Sequence, residues 1–239
     1  MESPEKRLPV SRKAVCLLSG GLDSATCLYA AVREGYEVIA LTIFYGQSHV
    51  REIQAAKALC APLSVEHHIL TFSLPWGGSA LTDSSIPIPR GRDEAMMKKE
   101  IPATYVPARN SIFLSMAASL AEVRGAGAIF IGANAVDYSG YPDCRPQFLG
   151  AFAEALNLGT KAGIEGRTLK IEAPLVRLSK KAIVRLGYAL GVPFEKTWSC
   201  YAGSDIPCGE CDACILRRKG FEEAGLNDPL TAYAVSSYR

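Results

Sequence analysis

Five short predicted strands, separated by stretches of helical periodicity, constrain the fold of this chain more than any other feature of its sequence. Turn-forming residues bound the strands, and the first two are apolar runs typical of buried strands. The predicted strands cover residues 15–18, 38–44, 64–70, 128–131 and 169–172, and the predicted helices cover residues 25–33, 50–59, 111–123, 148–157 and 179–190. Strands that alternate with helices predict an α/β fold built on a doubly wound parallel sheet.

Two loops of this predicted sheet are placed to bind a ligand, because ligands of such sheets bind beyond the carboxyl ends of the strands. Residues 19–24 and residues 132–145 each follow a predicted strand, so we expect the two loops to meet. Residues 73–106 contain seven proline and glycine residues and are predicted to form a long irregular loop. Loops of that length in compact domains are usually functional or mobile.

The composition is that of an ordinary globular protein, with 49% hydrophobic residues among 239 and a formal net charge of +2. A dedicated nucleic-acid binder carries a stronger basic excess, so we expect no nucleic-acid partner. No uncharged apolar run reaches the ~18 residues that a membrane span needs, so we expect no membrane association. The first residues, MESPEKRLPV, lack the apolar core of a signal peptide, and we expect a cytoplasmic protein.

The segment Ser19-Gly20-Gly21-Leu22-Asp23-Ser24 lies between a predicted strand and a predicted helix. Its two glycines let the backbone approach an anion, and the helix N-terminus offers free N–H groups and the positive end of a dipole. The segment therefore predicts a phosphate-binding loop. It lacks the Gly-Lys-Ser/Thr of a Walker loop and the G-x-G-x-x-G of a dinucleotide-binding loop. The alternative is a tight turn with an Asp or Ser cap.

Four of the eight cysteines crowd into fifteen residues, at positions Cys200, Cys208, Cys211 and Cys214. Clustered thiols in a reducing cytosol indicate a metal, and four thiolates in tetrahedral geometry indicate one structural Zn²⁺ ion per chain. The spacing places Cys214 one turn into a following helix, where it points back at the same centre. The alternatives are an iron–sulfur cluster, a redox pair or buried thiols. The scattered cysteines Cys16, Cys27 and Cys60 are expected in the core.

Residues 132–145 carry more polar side chains than a surface turn requires. The candidate substrate-binding residues of this loop are Asp137, Tyr138, Tyr141, Asp143 and Arg145. A carboxylate can accept parallel N–H bonds from a guanine-like edge, and a tyrosine ring can stack on a base. The alternative is a solvated loop with Asx turns.

Two cations beside predicted helix starts are candidate phosphate ligands. Arg109 precedes Asn110, a candidate N-cap residue, and Lys180 lies at the start of a later helix. The alternatives are a surface ion pair for Arg109 and a solvated side chain for Lys180.

The Ser19–Ser24 segment spells S-G-G-x-D-S and resembles the phosphate loop of the PP-loop ATP pyrophosphatases. The resemblance implies an adenine nucleotide alpha-hydrolase-like fold, in which the loop holds the pyrophosphate of ATP while a substrate oxygen attacks the α-phosphorus. It implies Mg²⁺ bound with ATP, and catalytic roles for Asp23, Ser24 and Lys180. The implied ATP-binding residues are Leu18, Ser19, Gly20, Gly21, Leu22, Asp23, Ser24 and Arg109.

A set of motifs along the chain resembles the family of 7-cyano-7-deazaguanine synthases. The motifs lie at residues 19–24, 44–47, 106–110, 134–145, 198–201 and 208–214. The run N-A-V-D-Y-S-G-Y-P-D-C-R is the most specific of them, and the resemblance extends from Ala14 to about Phe221.

The family resemblance implies an ATP-dependent ligase of queuosine biosynthesis that acts as a homodimer. Such an enzyme converts 7-carboxy-7-deazaguanine and ammonia to 7-cyano-7-deazaguanine, through an acyl-adenylate and an amide, and releases AMP and pyrophosphate. The expected organisation is a flexible tail over 1–12, a PP-loop domain over 13–195, and a C-terminal zinc-binding segment and tail over 196–239.

Three other functions fit parts of the sequence. A sulfur-inserting tRNA-modifying enzyme of the same superfamily would share the phosphate loop, but such enzymes usually need a catalytic cysteine pair and a basic appendage. A zinc-ribbon binding module without catalysis would use only the last quarter of the chain. A relative that modifies a different carboxylate would keep the nitrile-forming fold.

Overall fold

The computed structural model describes residues 12–46, 51–134, 140–203 and 205–230, without the side chains of Glu94 and Lys98. Within these ranges, five parallel strands form one sheet in the order β3-β2-β1-β4-β5. The strands are β1 Lys13–Leu17, β2 Glu37–Phe44, β3 Glu66–Thr71, β4 Ala128–Phe130 and β5 Lys170–Glu172. All five predicted strands are confirmed, with bounds that differ by at most two residues.

Eight α-helices surround this sheet in the described ranges. They are α1 Leu22–Arg33, α2 Arg51–Cys60, α3 Glu94–Lys99, α4 Arg109–Arg124, α5 Pro146–Gly159, α6 Lys161–Ile164, α7 Lys180–Ala189 and α8 Asp212–Ala224. The five predicted helices are confirmed as α1, α2, α4, α5 and α7, and α8 is the helix expected to carry Cys214. The short helix α3 lies inside the segment predicted to be irregular, and Asp93 caps it by accepting a hydrogen bond from Met96 N at 2.8 Å.

The helices cover both faces of the sheet, because alternate residues of β1 point to opposite sides. Cys16 faces one core cluster and Val15 faces the other. The first cluster draws on α1, α2, α7 and α8 through Leu28, Leu59, Val184 and Phe221, and the second draws on α4 and α5 through Leu114, Ala118 and Leu149. The predicted doubly wound α/β fold is therefore confirmed. Cys16, Cys27 and Cys60 are buried, as expected.

The strand order reverses at β1, which pairs with β2 on one side and with β4 on the other. The loops that follow β1 and β4 meet at this switch point, where α/β sheets bind their ligands. A Cβ atom on Gly132 would lie only 3.0 Å from Ser24 Cα, so the close approach of the two loops requires glycine there. The expected meeting of the loops is confirmed.

The C-terminal helix α8 packs into the same core as the sheet. The ring of Phe221 meets that of Phe194 edge-on, with centroids 5.1 Å apart. The predicted division of the chain after residue 195 remains a prediction, and residues 1–11 of the predicted tail lie outside the described residues. Among the helices that the structure describes, none combines the length and apolar character needed to cross a membrane.

Candidate active site

The loop between β1 and α1 has a backbone that only glycine can adopt at one position. Gly20 has a φ of +87°, and a Cβ atom there would lie 2.3 Å from the carbonyl oxygen of Glu52. Any larger residue would be both strained and in collision with α2. The loop then enters α1 with Gly21 at the N-cap position and Asp23 in the first turn. This geometry leaves the first N–H groups of α1 available for an anion.

Ser24 shapes the loop from within α1. Its Oγ accepts a hydrogen bond from Ser19 N at 3.2 Å, donates to Gly21 O at 3.1 Å, and lies 3.0 Å from Ser19 Oγ. The Ser24 side chain is buried, whereas Ser19 is exposed. The structure therefore gives Ser24 a part in holding the loop closed on itself, and its expected contact with ATP stays a prediction.

Asp23 joins the two loops at the switch point to helix α7. Its Oδ2 accepts a hydrogen bond from Lys180 Nζ at 2.7 Å and another from Asn134 Nδ2 at 3.2 Å. Its Oδ1 is buried and has no hydrogen-bond partner among the residues that the structure describes. A buried carboxylate oxygen without a donor is costly, so this atom is suited to a cation.

Arg109 begins α4 directly after Ala108, whose φ of +55° is rare for a residue other than glycine. Its Nη1 donates to Tyr45 Oη at 3.3 Å. Burial lowers the pKa of Arg109, but its hydrogen bond to Tyr45 and its interactions with Tyr45, Tyr141 and Tyr201 together raise that pKa by more, so the guanidinium stays charged. Burial raises the pKa of Tyr45, which keeps the phenol neutral. Asn110 is the second residue of α4, so it is not the N-cap residue and the candidate assignment is corrected.

Asp143 and Asn110 hydrogen-bond to each other and are both buried from solvent. Asp143 is only 6% exposed, and its Oδ2 accepts a hydrogen bond from Asn110 N at 2.9 Å. Asn110 Nδ2 in turn donates to Asp143 O at 3.4 Å and to Cys144 Sγ at 3.1 Å. The first N–H groups of a helix lack acceptors within the helix. Asp143 supplies an acceptor for one of these groups in α4, and it thereby supports the position of Arg109.

A pocket of about 280 Å³ lies between the phosphate loop, α4 and the C-terminal segment. The sequence-predicted residues that line it are Leu18, Ser19, Gly21, Leu22, Asp23, Ser24, Arg109, Tyr141 and Lys180. The structure thus brings together the ATP-binding candidates, except Gly20, which is buried and does not line the pocket. Asp143 and the exposed Arg145 do not line the pocket, and Asp137 and Tyr138 lie outside the described residues.

Aromatic residues that the sequence did not single out as site residues also line the pocket. They are Tyr45, Phe113, Trp198 and Tyr201. Trp198 N donates to Gly20 O at 2.9 Å, which joins the C-terminal segment to the phosphate loop. Three of these four aromatic residues stand in the motifs at 44–47 and 198–201, so the family resemblance was the signal that could have identified them.

The four clustered cysteines converge on one point. The Sγ atoms of Cys200, Cys208, Cys211 and Cys214 all lie within 4.8 Å of one another. The backbone N–H groups of Ala202 and Cys208 donate to Cys200 Sγ at 3.4 and 3.3 Å. Hydrogen bonds from Cys211 and Cys214 hold the pKa of the Cys200 thiol below its ordinary value. The donor set and its spacing fit a metal held by four thiolates.

Comparison with known proteins shows which family this chain resembles over most of its length. The family model described as queuosine biosynthesis protein QueC matches residues 13–225. A protein of Trichodesmium erythraeum named 7-cyano-7-deazaguanine synthase is 56% identical over 220 residues, which cover 91% of this chain and 99% of the relative. A protein of the same name from Anaeromyxobacter dehalogenans is 55% identical over 227 residues, which cover 94% and 97% of the two chains. The resemblance inferred from the motifs is thus confirmed, and the chain belongs to the family of queuosine biosynthesis protein QueC.

Proposed function

We propose that the chain is an ATP-dependent ligase that converts 7-carboxy-7-deazaguanine and ammonia to 7-cyano-7-deazaguanine in queuosine biosynthesis. The observation that carries the proposal is a phosphate loop, the Asp23–Lys180 pair and Arg109 around one pocket. These residues lie in a chain that is more than half identical to relatives named for this product.

The phosphate end of the pocket is formed by the loop and two cations. The N–H groups at the start of α1 bind the pyrophosphate of ATP, and Lys180 and Arg109 neutralise its charge. Asp23 Oδ1 is the atom we assign to Mg²⁺, because it is buried and without a donor among the described residues. Bound Mg²⁺ supplies charge neutralisation to the phosphates. Asp23 Oδ2 accepts a hydrogen bond from Lys180, and Asp23 Oδ1 would bind the cation.

The first activation consumes one ATP. A carboxylate oxygen of the substrate attacks the α-phosphorus, the new P–O bond forms, and pyrophosphate leaves. Ammonia then attacks the carbonyl carbon of the acyl-adenylate, AMP leaves with the carboxyl oxygen, and a proton is lost to give the amide. The protein contributes positioning and electrostatic stabilisation, since no protein nucleophile is required.

The nitrile requires a second activation, because oxide does not leave from an amide whereas AMP does. The amide oxygen attacks the α-phosphorus of a second ATP, and pyrophosphate leaves. Loss of one N–H proton leaves the O-adenylated imidate, and loss of AMP with the amide oxygen and of the second N–H proton then gives the C≡N bond. Two molecules of AMP and two of pyrophosphate are therefore released for each nitrile, and free ammonia is the nitrogen donor that we propose.

We propose that the 132–145 loop binds the hydrogen-bonding edge of the deazaguanine. Its candidates are Asp137 and Asp143 as acceptors of N–H groups, Tyr138 and Tyr141 near the ring, and Arg145. Because Asp143 Oδ2 already accepts from Asn110 N, we favour Asp137 as the acceptor. Tyr141 lines the pocket, and its Oη lies 3.1 Å from Thr104 Oγ1. We also propose a homodimer, as the family resemblance implies, and a location in the cytoplasm.

Pyrophosphate release measured with 7-carboxy-7-deazaguanine, ammonia and ATP tests the function. We expect two pyrophosphates for each nitrile, and no release when the deazaguanine is omitted. The Asp137→Ala variant is expected to lose substrate use much more than ATP affinity, because a site built for a polar edge is left with unpaired groups. Asp143→Ala, which removes the other carboxylate of the same loop, is the matched control. We expect it to lower the free energy of unfolding, because Asn110 N of α4 loses its acceptor. Absence of turnover in the wild-type protein would contradict the function, and full nitrile formation by Asp137→Ala would exclude Asp137 as the acceptor.

We propose that the four cysteines hold one structural Zn²⁺ ion, because four thiolates leave no coordination position open. The Cys211→Ser variant is expected to lose most of its metal and to melt at a lower temperature, since binding of structural zinc is coupled to folding. Metal analysis of purified protein measures the stoichiometry, and Cys60→Ala is the control because Cys60 lies apart from the cluster. Iron with labile sulfide in place of zinc, or a folded and active protein without metal, would overturn the assignment.

A further inference from the structure

The segment over residues 73–106 contacts both the pocket and the cysteine cluster. Its two ends pack beside the pocket, where Leu74 and Val106 are buried against Tyr45. Ala80 and Leu81 line the pocket itself, and Ala80 N donates to Ala103 O at 2.8 Å. One stretch of this segment is thus a wall of the candidate nucleotide pocket.

The middle of the same segment lies on the loop that carries Cys208 and Cys211. Arg90 pairs with Cys211 in an antiparallel β-bridge, and Gly91 N donates to Glu210 O at 2.9 Å. The side chain of Ile88 packs against the cluster that contains the cysteines. Backbone and apolar contacts therefore join the middle of the segment to the metal ligands.

Arg92 adds a largely buried ion pair to the contact between the 73–106 segment and the cysteine loop, which we call the junction. Its Nη1 lies 3.2 Å from Asp212 Oδ2, and the two side chains are only 15% and 13% exposed. Its Nη2 donates to Met96 O at 3.1 Å, so the same guanidinium also holds helix α3. Asp212 Oδ1 is buried without a hydrogen-bond partner among the described residues, so loss of Arg92 would leave this carboxylate poorly compensated.

A second ion pair beside it gives a natural comparison. Arg90 Nη1 lies 3.4 Å from Glu210 Oε2, but both side chains are 61% exposed. Exposed pairs of this kind contribute little, because water screens the charges and both side chains lose freedom. The junction therefore depends on Arg92 far more than on the Arg90 side chain.

We propose that Arg92 is a positioning residue that fastens the 73–106 segment to the metal-bound cysteines and so keeps the pocket wall at Ala80 and Leu81 in place. Glu210 and Asp212 flank Cys211, so a metal that fixes Cys211 also fixes both partners of the segment. The kinetic part of this inference rests on the proposed reaction, whereas the structural part rests only on the proposed metal at the four cysteines.

Hydrogen exchange of the metal-loaded protein tests the structural part. In Arg92→Ala we expect the amides of residues 84–100 to exchange about tenfold faster, the effect of losing one hydrogen bond to a charged group. Arg92→Lys should retain most of the protection, and Arg90→Ala should match the wild type. Removal of the metal from the wild type should accelerate the same amides, and it should add little in Arg92→Ala. Should Arg92→Ala fail to fold, Asp212→Asn makes the same test.

The kinetic arm uses the pyrophosphate assay. We expect KM for ATP or for the deazaguanine to rise about tenfold in Arg92→Ala, with kcat within about threefold of the wild type, because the pocket wall loosens while the reacting groups stay. Unchanged exchange of residues 84–100 in both Arg92→Ala and metal-free protein would overturn the proposal, as would faster exchange with unchanged KM. If the wild type does not turn over this substrate but the exchange result holds, only the proposed function fails.

Discussion

The Asp23→Asn variant is expected to release pyrophosphate about 10²–10³ times more slowly than the wild type, a loss of roughly 2.7–4 kcal/mol of transition-state stabilisation. Asp23 lines the pocket, accepts a hydrogen bond from Lys180 Nζ at 2.7 Å, and offers a cation its buried Oδ1, which has no hydrogen-bond partner among the described residues. Asparagine keeps the shape but removes the negative charge, so Lys180 loses its anchor and the cation loses its ligand. The measurement is single-turnover pyrophosphate release at saturating ATP.

Two further variants make this result interpretable. Glu154→Gln removes a carboxylate from an exposed position of α5 and is expected to behave as the wild type. Ser24→Ala is also expected to release pyrophosphate slowly, but for a different reason. The Ser24 hydroxyl accepts from Ser19 N and donates to Gly21 O, so its loss should change the conformation of the loop. Thermal unfolding of Asp23→Asn should match that of the wild type. A normal rate of pyrophosphate release from Asp23→Asn would exclude it from the catalytic machinery.

The strands and long helices were predictable because each leaves a local signal in the sequence. β2 is almost entirely buried, so it reads as a nearly continuous apolar run, and the buried residues Leu114, Ala117, Ala118 and Ala121 of α4 recur at helical spacing. The cluster of four cysteines was predictable for the same reason, since three of the four are close in sequence. The phosphate loop was recognisable from its sequence because the close approach of Glu52 O requires glycine at position 20.

The remaining features depend on contacts between residues that are far apart in the sequence. Asn110 was a reasonable N-cap candidate, but Asp143 supplies the hydrogen bond to α4 from another loop. Helix α3 is only six residues long, so periodicity could not reveal it, although Asp93 is a recognisable cap. The partners of Arg92 and Lys180 follow from the arrangement of the strands and loops in space, which no single stretch of sequence specifies.

The Arg217→Met variant is expected to lose about 3–5 kcal/mol of unfolding free energy, because it leaves one partner of a buried ion pair uncompensated. Arg217 and Asp228 side chains are 6% and 5% exposed, and the guanidinium donates to both carboxylate oxygens at 2.8 and 2.9 Å. It also donates to Thr197 Oγ1 at 2.7 Å and to Phe194 O at 3.1 Å. Urea unfolding with an unchanged m-value measures the loss.

The double variant Arg217→Met with Asp228→Leu separates charge from packing. If the stability lost in Arg217→Met comes from the unpaired Asp228 carboxylate, replacing Asp228 as well should restore most of the free energy of unfolding. Apolar pairs of similar volume often stabilise a protein as much as a buried ion pair does. A loss below about 1 kcal/mol in Arg217→Met would contradict the expectation. Because Trp198 N donates to Gly20 O beside the segment that Arg217 holds, the single variant should also disturb the phosphate loop. Restored stability in the double variant without restored pyrophosphate release would then show that the Arg217 hydrogen bonds to Thr197 and Phe194 position that loop.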